Sequence, residues 1–194
     1  MEDQNYKIAL NVFLQSIKAG TKYHEYSLDV GITPPVLLAV GVPQLPLTIS
    51  VKTIDKCFYQ HGVSEARLRR LYDLIANPQS VFLSDSPHIN PSQAHPIVVI
   101  TIEVKDENPI LVAVHPNQRI GRRAVNQVKS VYDKPEEMLT KWKGKGLLLW
   151  EAPAIPPSSM ATVTPIGQPA AKPGAAAPVV TVKKVRRIIS GGDS

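Results

Sequence analysis

The run IVVITIEV at residues 97–104 limits the fold more than any other stretch of the chain. Seven of its eight residues are β-branched, the exception being Glu103. Such side chains crowd a helix and pack well on a pleated surface, so the run predicts a strand. Apolar residues on both faces predict that this strand lies in the middle of a sheet. The polar stretch KDENP (105–109) then leads to PILVAVHP (109–116), a second strand at hairpin distance. SVFLSDS (80–86) and LLLWEAP (147–153) read as two more strands.

Helical spacing dominates before residue 80. In NYKIALNVFLQSIKAG, apolar residues fall at Ile8, Leu10, Val12, Phe13, Leu14 and Ile17, and Gly20 stops the pattern. TPPVLLAVGVP predicts a short helix capped by Thr33, with Pro34 in its first turn, ended by Gly41 and Pro43. LPLTISVKTIDKCFYQHGV begins as a strand over Leu47–Val51. It turns helical from Thr53, with Ile54, Cys57 and Phe58 on one face. SEARLRRLYDLIANP predicts one helix, with Ser64 as N-cap and Leu68, Leu71, Tyr72 and Ile75 as its buried stripe. GRRAVNQVKSVYDKPEEMLTKWKGKG (121–146) predicts one helix or two, with a break before Pro135. Helices leading into strands define an α+β class. The expected organisation is an N-terminal helical segment at 1–32 and an α+β domain at 33–151.

The composition changes from about Ala152. Residues 152–181 are rich in Pro, Ala, Ser and Thr and hold too few large apolar side chains to offset chain entropy, which predicts a disordered linker. The last segment, 182–194, is a basic patch in which Lys183, Lys184, Arg186 and Arg187 alternate with Val182, Val185, Ile188 and Ile189. It suits contact with nucleic acid or an acidic partner. The net charge of +6 divides evenly: residues 1–150 carry 17 basic and 14 acidic side chains, and residues 151–194 carry five and two. The lone cysteine, Cys57, excludes an internal disulfide framework and fits a reducing cytosol. No signal peptide is visible and no apolar run approaches a membrane span, so a cytoplasmic location is expected.

The motifs narrow the chemistry. His24, His61, His88, His95 and His115 are scattered, with no HExxH and no carboxylate cluster, so neither a metal site nor a cofactor is expected. Walker-type loops and the G-x-S-x-G elbow are absent. Metal-free cleavage of RNA needs other parts. The 2′-hydroxyl is the nucleophile, and the protein supplies a base, an acid and donors for the phosphorane oxygens. Residues of those types lie near element ends: His61 before a helix, Ser84 after a strand, and Arg119, Arg122, Arg123, Asn126, Ser130 and Tyr132 in HPNQRIGRRAVNQVKSVYDK. On a helix, Asn126 and Ser130 share a face with Arg122 one turn back. Arginines at a helix N-terminus oppose the macrodipole unless they hold an anion. The plainer readings are a loop histidine and a solvated polar helix.

The ordered set LPLTISVKTIDKCFYQHGVSEARLRRLYDLIANPQSVFLSD, PIVVITIEVKDENPILVAVHPN and VNQVKSVYDK resembles the phage MuF C-terminal type of domain, placed in the barnase–EndoU–colicin–RelE nuclease superfamily. The resemblance covers roughly Thr33 to Trp150. It implies helices followed by an antiparallel sheet of about four strands, as in barnase and RelE. It also implies metal-independent RNA cleavage, often by a toxin or effector module delivered into a target cytoplasm, with RNA as partner and an immunity protein as a second. Carried over by position, His61, Ser84, Asn126, Ser130 and Tyr132 match the family's catalytic set. Many relatives have a lysine directly before the histidine. Here Gln60 stands there, with Lys56 one turn back as the nearest substitute. The alternative is a catalytically inactive module of the same fold that binds nucleic acid or a protein partner through its basic tail.

Overall fold

Tyr6, Leu10, Leu14 and Ile17 recur at helical spacing and all four are buried, which defines α1 (Tyr6–Lys18) and the side of it that faces the core. The computed structural model describes residues 1–21, 23–85, 98–102 and 108–153. After α1 come β1 (Ser27–Ile32), α2 (Pro35–Ala39), β2 (Pro46–Ser50), α3 (Val51–Tyr59), α4 (Glu65–Arg69), α5 (Leu71–Ala76) and β3 (Ser80–Leu83). Then follow β4 (Val98–Ile102), β5 (Ile110–Ile120), β6 (Arg123–Asp133), α6 (Glu137–Gly144) and β7 (Leu148–Glu151). Most of the KDENP turn, His88, His95, the 152–181 linker beyond Pro153 and the basic patch with Lys183, Lys184, Arg186 and Arg187 lie outside the described residues.

The strands form one sheet in the order β1-β2-β6-β5-β4-β3-β7. Neighbours are antiparallel except β2 and β6, which run parallel with Leu47 opposite Asn126 and Ile49 opposite Val128. The α+β class is as expected, and β4 is an interior strand. The sheet differs from the expected four antiparallel strands: it has seven among the described residues and is mixed. The residues themselves read as strands at β2, β3, β4, β5 and β7; of the other two, β1 comes from a segment without a clear strand pattern and β6 from a segment that reads as a helix.

That segment is β6. Val125, Val128 and Val131 are three apart, the spacing of a helix face. One irregularity within the strand brings the last two of these, Val128 and Val131, to the same face. Lys129 is an extra residue, because Ala113 pairs with Ser130 while Val114 pairs with Val128. A second offset lies between His115 and Gln118, opposite Asn126. The second offset is an extra residue of β5, whereas Lys129, inserted in β6 itself, turns the side chains that follow it to the other face. Val128 and Val131 therefore enter the same core, as Val112 and Val114 opposite them do. β5 and β6 meet in a two-residue turn, with Ile120 paired to Arg123 and Gly121 at φ +59 in the first central position.

One face of the sheet is covered by helices: Leu10, Leu14, Ile54, Leu68 and Ile75 pack with Ile49, Ile100, Val112, Val128 and Val131 in one core. Tyr6, on the N-terminal helix, reaches into the same core, and its hydroxyl donates to Leu68 O at 2.8 Å. The opposite face is covered by α6, where Phe82, Val99 and Leu111 surround Trp142. Ser64 caps α4 as expected, but Arg70 interrupts the expected single helix and α5 starts anew. Thr33 does not cap α2. Pro34 takes that position, and the Thr33 hydroxyl donates to Leu45 O instead. Ile8 and Val12 lie on the outer side of α1, 66% and 56% exposed. No described helix is long and apolar enough to cross a membrane.

Candidate functional site

β2 passes into α3 without a loop, because Ser50 ends the strand and caps the helix: its hydroxyl accepts from Thr53 N–H at 3.1 Å. α3 packs against β6. The β2 pairing stops at Val128, so the edge of β6 from Lys129 onward has no strand beside it among the described residues. Cys57 is buried there. Desolvation pushes its thiol up, against a hydrogen bond with the Val131 backbone.

Past α3, Gly62 at φ +63 reverses the chain, and Val63 N–H returns to Cys57 O at 3.0 Å. The turn sets His61 beside β6, with its ring 5.9 Å from the ring of Tyr132 and tilted by 44°. His61 Nε2 is buried without a hydrogen-bond partner among the described residues. Burial lowers the pKa of this imidazole, and the charges of Lys56 and Lys134 add to the effect against the opposing pull of Asp133. Its neutral, proton-accepting form therefore prevails at neutral pH. Burial raises the Tyr132 phenol, which keeps it protonated as a donor, and Lys134 Nζ stands 5.6 Å from the centre of its ring.

Ser130 and Tyr132 share the α6 side of the sheet, opposite Ala113 and Leu111. The alternation of β5 carries His115 onto that same side, opposite Gln127. Burial lowers the His115 pKa and the charge of Lys129 lowers it further, while burial also lowers Lys129. His115 and Lys129 were not among the expected site residues. The signal for His115 was present, since Leu111, Ala113 and His115 alternate in a segment that reads as a strand.

The other expected residues are dispersed. Asn126 is fully buried within the sheet. Its Oδ1 accepts from Asn117 N–H at 3.1 Å, and its Nδ2 donates to Thr33 Oγ1 and Pro43 O, both at 2.7 Å. Ser84 follows β3, and β4 and β5 lie between β3 and β6. That separation is about 14 Å at the usual strand spacing. Arg119, Arg122 and Arg123 stand at the tip of the β5–β6 hairpin rather than at a helix start. They are on the order of 20 Å along the strand from Ser130. Arg123 forms a forked ion pair with Asp29 on β1 at 3.1–3.3 Å. The helix face expected for Arg122, Asn126 and Ser130 does not exist, because these residues lie in a hairpin with a bulge.

On the outer side of α3 lies a cavity of about 460 Å³ lined by His24, Lys52, Asp55, Lys56, Tyr59 and Gln60. Lys56 thus borders both this cavity and His61. No three described His, Cys, Asp or Glu side chains are grouped to hold a metal ion.

A helix-backed mixed sheet, with a histidine–tyrosine pair and lysines where α3 rather than a strand flanks β6, defines an α+β domain with a cationic site. The family model of the phage MuF C-terminal domain matches residues 52–153, which include α3 from its second residue, His61 and the whole β5–β6 hairpin. The chain belongs to this family. Searches of curated proteins and of solved structures return no match.

Proposed function

We propose that this chain is a metal-independent RNA-cleaving module of phage or mobile-element type within the barnase–EndoU–colicin–RelE nuclease superfamily, acting as a toxin or effector. The juxtaposition of His61 with Tyr132, flanked by Lys56 and Lys134, carries the proposal. Neutral His61 accepts the proton of the ribose 2′-hydroxyl, whose oxygen attacks the adjacent phosphorus. The P–O5′ bond breaks. The leaving oxygen takes a proton from the Tyr132 phenol, giving a 2′,3′-cyclic phosphate and a 5′-hydroxyl, and Lys134 stabilises the phenolate left behind. Proton return from His61 to Tyr132 through solvent resets the site. Lys56 supplies the charge that the family's lysine at the Gln60 position would bring, and Ser130 offers a donor to the non-bridging oxygens. The test is RNA cleavage in the presence of EDTA. Wild type yields cyclic-phosphate ends, and His61→Ala lowers the rate by about 10²–10⁴-fold with the fold intact. Full cleavage by His61→Ala would sink the proposal.

Gln60 also favours a second reading, a catalytically inactive module that binds nucleic acid or a protein partner with help from its basic tail. In that case RNA binds without being cut, and removal of residues 152–194 abolishes recruitment.

A further inference from the structure

Apart from Lys56, the lining of the cavity outside α3 takes no part in the chemistry above. Lys52, Asp55, Lys56, Tyr59 and Gln60 recur at helical spacing opposite the buried Val51, Ile54 and Cys57, and so form one outward stripe. His24, in the turn before β1, closes the far side and is held by Asp55, Nε2 to Oδ2 at 2.9 Å. The volume of about 460 Å³ lies within the roughly 300–1,000 Å³ of small-molecule sites. The lining offers two ammonium groups, an aromatic ring, a carboxamide and an imidazole fixed by a carboxylate. Tyr59 is 58% exposed, yet its ring is braced edge-on by Phe58 at 5.1 Å. The Asp55 side chain, 13% exposed, is turned to His24 and so opposes a bound phosphate weakly. A braced, open ring among lysines is the arrangement on which a base stacks while its phosphates are neutralised. Lys56 links this lining to His61.

We propose that the cavity is a nucleotide subsite for the RNA strand cut at His61. Tyr59 stacks one base, Lys52 and Lys56 hold the adjoining phosphate, and Gln60 and His24 bond to the base or sugar. The inference rests on the cleavage reading, and its test is separate from cleavage. Binding of a short fluorescein-labelled 2′-O-methyl oligoribonucleotide, which cannot be cut, is measured by anisotropy on the full chain. Tyr59→Ala weakens it by about tenfold, the usual scale for one base stack. Lys52→Ala lowers the slope of log affinity against log salt by about 0.7, one phosphate contact on a single strand. Lys143→Ala removes the same charge from α6 and leaves both within experimental error. Circular dichroism confirms that each variant is folded. Adenosine monophosphate competes only weakly if the subsite holds a strand. Competition as strong as that of the oligomer would replace the strand with a free nucleotide and overturn the proposal. Unchanged affinity in both Tyr59→Ala and Lys52→Ala overturns it as well. Cleavage by wild type alongside that result leaves the His61 chemistry standing. Tyr59-dependent binding with no cleavage removes the chemistry and keeps the subsite.

Discussion

Asn126 Nδ2 donates to Thr33 Oγ1 at 2.7 Å, joining β6 to the segment after β1 across 93 positions of sequence. The same amide donates to Pro43 O, and its carbonyl accepts from Asn117 N–H in the offset of β5. Asn126 is therefore a staple at a ladder defect. Asn126→Ala leaves two acceptors and one donor unpaired in a buried place, and costs about 2–4 kcal/mol. Urea unfolding measures the loss. Below the transition, the variant retains wild-type cleavage, since Asn126 lies outside the His61 cluster. Undiminished stability would contradict the staple.

What was legible in the sequence depended on how local the signal is. IVVITIEV announces an interior strand because its β-branched run is self-contained. Ser64 and the Leu68–Ile75 stripe announce helical structure for the same reason, although the break at Arg70 was not visible. β1 was not readable: Ser27, Asp29 and Gly31 are poor strand formers, and the strand exists because β2 pairs with it. The β6 segment was misleading, since Lys129 in the bulge gives a strand the three-residue spacing of a helix. His61 and Tyr132 were each visible as candidates. Their meeting was not, because it depends on β2 ending early and α3 filling the space beside β6. The hairpin likewise carries Arg119, Arg122 and Arg123 away from the cluster that a helix would have placed them in.

Gly62 fixes the position of His61. At φ +63 a Cβ meets no heavy atom within 4 Å, so Gly62→Ala is penalised by backbone conformation rather than by crowding. The expected loss is about 1 kcal/mol, read from the urea midpoint. Relaxation of the turn moves the His61 ring, so cleavage falls further than stability does. Gly62→Asn, which tolerates the left-handed region, restores most of both. Equal activity in the alanine and asparagine variants would show that the turn does not place the ring.

His115 and His61 couple stability to acidity. Both carry a folded pKa below the ordinary 6.5, with burial as the leading cause. Above 6.5 the histidines are neutral in the folded and unfolded chains alike, and the shift has no effect. As pH falls below 6.5 the unfolded chain takes up protons first, so the fold loses stability until the lowered folded pKa is passed. His115→Gln removes its share of this dependence. Urea midpoints taken across mildly acidic pH, wild type against His115→Gln, provide the measurement. Parallel curves would exclude His115 as a source.

Lys56 and Asp133 act on His61 in opposite directions, after burial as the main cause of its lowered pKa. Removing the positive charge in Lys56→Met relieves repulsion of the imidazolium, so the His61 pKa rises. Removing the negative charge in Asp133→Asn withdraws an attraction, so it falls further. Proton NMR of the His61 C2–H gives both directions in the absence of RNA. The cleavage rate in EDTA carries the same information. With neutral His61 as the base, the acid limb of the rate profile moves to higher pH in Lys56→Met and to lower pH in Asp133→Asn. Lys56→Met also loses rate on the plateau, because it withdraws a cation from the phosphorane oxygens, whereas Asp133→Asn does not. An acid limb that stays fixed while the NMR pKa moves would mean that His61 titrates in the site without serving as its base.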